Sequence, residues 1–157
     1  KFWVVVFTFT FLLLPLFSGC AKKKNDLEEA EGYLKQSEDY YQRAVNSYTE
    51  LIAKGQDPER LHFELGKLYY DRRDFKRSIA ELKKTNVKGA DKFLAISYYW
   101  LGNFADALEA FNKIEAPDDE CLYYYGLTSE KLNLFDKALE NYKKIKKGTY
   151  ETTLQKN

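Results

Sequence analysis

Imidazole and thiol side chains are few in this chain: one imidazole, His62, and two thiols, Cys20 and Cys121. A thiolate attacks electrophiles or binds soft metals and an imidazole relays protons, but each needs partners that converge on the same point. No nucleophile with an adjacent base, no paired carboxylates set for acid–base work and no glycine-rich phosphate loop can be read along the chain. His62 falls early in a predicted helix and reads as a packed or half-exposed helix residue. Cys121 reads as a small apolar helix residue without a disulfide partner. The acidic clusters Glu28-Glu29 and Asp118-Asp119-Glu120 fall at predicted helix starts, and Lys143, Lys144, Lys146 and Lys147 at a helix end, where each sign suits the helix dipole. Catalysis, a metal and a cofactor are therefore not expected.

The elements that hold these residues follow from composition and spacing. The chain has 157 residues, 45% apolar and 17% aromatic, enough for one domain with a substantial core. Three prolines and eight glycines are too few for a disordered or collagen-like chain. The balance of 25 basic against 24 acidic side chains removes the electrostatic footprint of a nucleic-acid binder.

The first segment stands apart. After Lys1, the run Phe2 to Phe17 holds two Thr and one Pro among Phe, Trp, Val and Leu, and Ser18, Gly19 and Cys20 follow. That is shorter than the roughly 20 residues of a spanning helix and has the form of a secretory signal with small residues at its cut site. Leu16-Phe17-Ser18-Gly19-Cys20 resembles the lipobox of bacterial lipoproteins, with Phe17 where Leu is usual. The resemblance implies a signal peptide over 1–19, lipidation of Cys20 as the mature N-terminus, a polar tether over 20–26, and a periplasm-facing chain, with Ala21 favouring the outer membrane. An uncleaved single anchor is the alternative.

The remainder repeats. Tyr41 to Ala44, Phe75 to Ser78, Phe104 to Ala107 and Phe135 to Ala138 each set an aromatic three residues before a small residue, and Tyr48, Leu82, Phe111 or Tyr142 follows four later. Twelve residues upstream of each small residue stands another, Gly32, Gly66, Ala95 or Gly126, at intervals of 34, 29 and 31. Two small residues twelve apart let two helices approach closely, so the spacing predicts helix hairpins over about 27–56, 57–88, 89–117 and 118–147. Asp57 with Pro58 is expected to start one helix, Asp74 another, Gly102 to end a third and Asn103 to cap the next. In the first unit Ser37-Glu38-Asp39 is a poor turn, and one long helix is the other reading. Residues 148–157 read as the start of a capping helix or a truncated continuation.

Leu65-Gly66, Tyr69, Phe75, Ser78 and Leu82 in this order and spacing resemble the tetratricopeptide repeat. The resemblance covers about 27–147 and implies an all-α solenoid of about four hairpins whose first helices line a concave groove. It also implies that partner contacts come from first-helix positions matching Tyr33; Phe63, Lys67, Tyr70 and Asp71; Lys92, Ile96, Tyr99 and Trp100; and Tyr123, Leu127, Glu130 and Lys131. Within each helix these fall three or four apart and share a face. The competing reading is that the doublets Tyr69-Tyr70 and Tyr98-Tyr99 and the triplet Tyr123-Tyr124-Tyr125 divide between the hairpin seam and the inter-repeat core.

Together these readings predict a lipid-anchored scaffold of the cell envelope that binds a protein or peptide partner through an aromatic groove, without nucleic acid or metal. The alternative is an accessory or truncated part of a larger envelope enzyme or of a secretion or assembly complex.

Overall fold

The computed structural model describes residues 18–145, with side chains from residue 28 onward. The expected signal run and the expected C-terminal helix fall outside these residues, apart from Ser18 and Gly19. The protein is all-α: α1 (Ser18–Ala53), α2 (Pro58–Asp71), α3 (Phe75–Leu82), α4 (Ala90–Trp100), α5 (Phe104–Asn112), α6 (Asp119–Lys131) and α7 (Phe135–Lys144), with no strand among the described residues. The chain divides into two units, Lys1–Ala44 and Val45–Asn157.

In the first unit α1 runs without a break. The hairpin expected over 27–56 is not formed: Ser37, Glu38 and Asp39 are helical, and a β-carbon added to Gly32 would meet nothing within 4 Å. The physical reason is local. A hairpin turn needs a residue with positive φ, and this stretch offers no Gly, Asn or Pro to stop the helix. Four-residue pairs bridge it instead: Asp39 with Arg43 at 3.0 Å, and Gln42 donating to Glu38 at 2.8 Å. Residues 20–26, expected as an open tether, are helical backbone as well.

In the second unit the helices pair as α2 with α3, α4 with α5 and α6 with α7, and α4 and α6 also pack against the preceding α3 and α5. One turn device closes all three pairs. Arg73, Gly102 and Asn133 take φ of 58°, 78° and 59°. At each, the following amide reaches back five residues, Asp74 to the Tyr69 carbonyl at 2.9 Å, Asn103 to Tyr98 at 2.9 Å and Leu134 to Ser129 at 2.8 Å. These bonds satisfy carbonyls that a helix end would leave bare. Asp74 caps α3 by accepting from the Arg77 amide at 3.1 Å, and Asp118 caps α6 through the Cys121 amide at 2.9 Å. Asp57 and Asn103 occupy cap positions, but their side chains accept nothing from the first turn.

The core of this unit lies between α4 and α5, where Ala95, Ile96, Tyr98, Ala107, Ala110 and Phe111 are buried together. The small residues mark the closest approaches. A β-carbon on Gly66 would lie 2.7 Å from Leu82 Cγ and 3.3 Å from the Leu82 amide nitrogen, and one on Gly126 would overlap the Tyr142 ring. Ser78 and Ser97 bury their hydroxyls against each other at 3.4 Å where α3 meets α4.

Two glycine substitutions should therefore have opposite signs. Gly66→Ala gains about 1 kcal/mol of helix propensity, yet overpacks a site whose neighbour is fully buried and backed by main chain, a cost of about 1–3 kcal/mol. It should lower the denaturant midpoint. Gly32→Ala meets open space inside a helix and should raise helix stability by up to about 1 kcal/mol. Urea melts followed by far-UV circular dichroism check both.

Candidate partner-binding face

Apart from Tyr33 on α1, the side chains expected to touch a partner belong to α2, α4 and α6, where residues three or four apart share a face. The tyrosine doublets divide: Tyr69 and Tyr98 are buried in the core, while Tyr70 and Tyr99 are half-buried beside them. From Tyr70 and Tyr99 a continuous string of rings extends across the second unit. Phe63 meets Phe93 edge-on at 6.0 Å, Phe93 meets Tyr70 at 5.1 Å and Tyr70 meets Phe75 at 5.9 Å. Phe75 stacks on Trp100, 6.0 Å away and 5° from parallel. Tyr99, Trp100 and Tyr124 then form a triangle with centroid separations of 5.3–6.1 Å. Tyr99 also meets Phe104, and Tyr124 leads through Tyr123 to Tyr142 on α7. Edge-to-face pairs of this kind contribute about 0.5–1.5 kcal/mol each beyond their buried area.

Charge is distributed unevenly over this string. Lys67 lies over Phe63 at 5.3 Å and Phe93 at 5.9 Å, and the Arg73 guanidinium sits 6.0 Å from the Trp100 ring. At the other end stands Glu130, whose charge acts on Tyr99 and Tyr142. Burial first, then the charge of Glu120, pushes the Tyr70 and Tyr124 phenols up. Burial does the same at Tyr99 and Tyr142, followed by Tyr123 at Tyr99 and Glu130 at Tyr142. These hydroxyls stay protonated and are hydrogen-bond donors at physiological pH.

Not every expected residue belongs to the face. Ile96 is 0% exposed in the α4–α5 core, so it is a packing residue and is unavailable to a partner. Lys92 spends its ammonium on Asp118 at 2.6 Å and Glu120 at 2.7 Å, tying α4 to the start of α6. Tyr33 lies on α1 in the other unit, where its hydroxyl donates to Glu29 at 2.9 Å. Asp71, Glu130 and Lys131 are exposed, and Leu127 is half-buried. Phe63, Lys67, Tyr70, Tyr99, Trp100 and Tyr123 are brought together by the string, with Trp100 49% exposed. The string also recruits Phe75, Phe93, Phe104, Tyr124 and Tyr142, and Arg73 beside it, none of which was expected at the face. The phenylalanines that open α3 and α5 carried the available signal, since each starts a helix directly after a tight turn and so lies near the end of the helix before it.

The imidazole and the described thiol each sit among side chains of neighbouring helices or turns. His62 Nδ1 lies 2.7 Å from Glu81 Oε2, joining α2 to α3, and Glu81 also accepts from Lys84 at 2.9 Å. The Cys121 thiol is buried; burial and the neighbouring Asp118 carboxylate push its pKa up to about 12, so little thiolate exists near neutrality. No group of His, Cys, Asp and Glu suited to hold a metal occurs among the described residues. No protein-family model matches the chain, and no curated protein aligns with it significantly.

The Asp118 carboxyl carries a testable pH dependence. Burial would raise its pKa, but hydrogen bonds from Lys92 and from the Cys121 amide outweigh that and hold it below its ordinary 3.8. A depressed folded-state value contributes stability above the unfolded value, and that contribution is lost as pH falls through the folded one. Asp118→Ala should cost about 1 kcal/mol near neutrality through the lost cap. The difference from wild type should hold down to about pH 4 and shrink below it. Parallel denaturation series at stepped pH measure this directly.

Proposed function

We propose that the chain is a lipid-anchored, periplasm-facing lipoprotein of the bacterial cell envelope, the outer membrane being favoured, and that it acts as a noncatalytic scaffold. In this reading its helix pairs are repeats of the tetratricopeptide type. They hold a protein or peptide partner on the ring face of α2, α4 and α6. The observation that carries the reading is the string of ten rings from Phe63 to Tyr142, with Trp100 half-exposed at its middle beside Arg73, Lys67 at one end and Glu130 at the other.

Tyrosine and tryptophan bury large areas at low entropic cost and keep polar tips for main-chain groups, which suits a peptide or helix laid across them. A small metabolite would be gripped by an enclosed cavity. Among the described residues no helix is long and apolar enough to cross a membrane. The proposed attachment is through acyl chains on Cys20, each buried methylene contributing about 0.8 kcal/mol.

A photoreactive residue at position 130 should crosslink to a partner in envelope membranes, and one at exposed Glu109 on α5 should not. Trp100→Ala should reduce the first adduct about tenfold while the melting temperature falls by less than about 4 °C. Equal crosslinking in a folded Trp100→Ala variant would remove the ring face from the proposal. For the anchor, metabolic labelling with a fatty acid should mark wild type and Cys121→Ser but leave Cys20→Ser unlabelled; label retained without Cys20 would overturn it.

A further inference from the structure

The seam between successive helix pairs can be followed down the chain, and at α7 no further helix covers it among the described residues. Ile79 on α3 packs against the buried α4–α5 cluster, and Phe75 stacks on Trp100 of α4. The equivalent residues on α5, at intervals of 29, are Phe104 and Leu108; both are half-buried, and α6 packs on α5. The next equivalents, 31 further on, are Phe135 and Leu139. These are 65% and 52% exposed, with Leu134 exposed beside them. The same side chains that are covered in two helix pairs are thus bare in the third.

The charges along this stripe say what fits over it. Asp136 and Lys143 stand seven residues apart, at opposite ends of the exposed run, and neither has an ion-pair partner among the described residues. The neighbouring Glu140 and Lys144 already satisfy each other at 2.7 Å. An acid at the start of a helix and a base near its end are self-complementary about a two-fold axis. When α7 lies antiparallel on a second α7 with Leu139 at the centre, Lys143 of each copy faces Phe135 and Asp136 of the other. Lysine over an aromatic ring is a contact this chain already uses at Phe63, Phe93, Tyr98 and Tyr125.

We infer that the exposed stripe of α7 is a self-association surface and that its occupant is the α7 of a second copy, paired antiparallel through Leu139, Phe135 and two Asp136–Lys143 ion pairs. The interface is isologous, as a two-fold pairing requires. A pair of 10-residue helices covers less than the ~1,600 Å² of a standard interface, so the dimer dissociates in about the micromolar range or weaker.

Sedimentation of the full chain in detergent micelles, over a concentration series, tests this. Wild type should show a reversible monomer–dimer equilibrium, and Leu139→Glu should be monomeric with unchanged circular dichroism, since that side chain is half in water. Asp136→Lys and Lys143→Asp should each weaken the dimer about tenfold by facing like charges, and an equimolar mixture of the two should recover it, because every facing pair is then opposite. A wild-type chain that stays monomeric up to about 1 mM would overturn the inference and leave the stripe to residues 146–157 or to another protein. So would a dimer indifferent to Leu139→Glu, or charge variants that fail to rescue each other.

Discussion

The close approach of two helices at a residue without a side chain is the constraint on which the second unit depends. At Gly66 and Gly126 the space a β-carbon needs is already filled by Leu82 and by the Tyr142 ring. Ala95 sits at the corresponding position of α4, Ala107 and Ala138 at the small-residue position of the second helices, and all three are buried. Contact this tight fixes the rotation of each helix about its own axis, because only one narrow stripe of each can face the other. Once that rotation is fixed, every other side chain on the helix has its direction assigned. The turn geometry repeated at Arg73, Gly102 and Asn133 then returns the chain along the same line each time.

The ring string is a consequence of that rotation. With Gly66 and Ala95 turned into their own pairs, Tyr69 and Tyr98 follow them into the core, and Tyr70 and Tyr99, about 100° further round the helix, are placed at its margin. Rings at the margin of one helix reach rings at the margin of the next, as Tyr70 reaches Phe93 and Tyr99 reaches Tyr124. The inter-helix ion pairs have a narrower role. Lys92 with Asp118 and Glu120 fixes where α6 begins, but those carboxylates are half in water, so the net gain is small and salt-sensitive.

Most of the helical content was legible because it was written in short-range chemistry: Pro58 at the first turn of α2, the Asp74 and Asp118 caps, the Gly102 turn and the alternation of small and aromatic residues. What was not legible depended on competition. The stretch around Ser37 to Asp39 matched a repeat by its flanking residues, yet nothing there stops a helix, and Asp39–Arg43 and Glu38–Gln42 pairs favour continuation. Ile96 follows Ala95 by one position, and a sequence rule that selects the residue after the small one selects it for the partner face. Its side chain instead falls within the wide apolar arc that α4 buries, an arc set by helices on more than one side. Phe75, Phe104 and Tyr142 were missed at the face because second helices were read only as scaffolding, whereas a tight turn places the first residue of one helix beside the last turn of its neighbour.

The two roles asked of the aromatic string, cohesion and recognition, are compatible because they draw on different parts of the same rings. Ring contacts cover only part of an outer ring: Trp100 stacks on Phe75 and has the Arg73 guanidinium against it, yet stays 49% exposed. Packing of this kind holds the outer rings in place before any partner arrives, so the entropy of ordering them is a folding cost and is not charged again on binding. Cohesion dominates where a ring is half-buried among others, as at Tyr70 against Phe75 and Phe93; recognition dominates where more of the ring stays in water, as at Trp100. The same distinction separates α7 from α3 and α5. Its leading phenylalanine and the leucine one turn on match Phe75 and Ile79, which hold α3 to the next pair, and with no helix of this chain over them among the described residues, their cohesive surface is available to an external one.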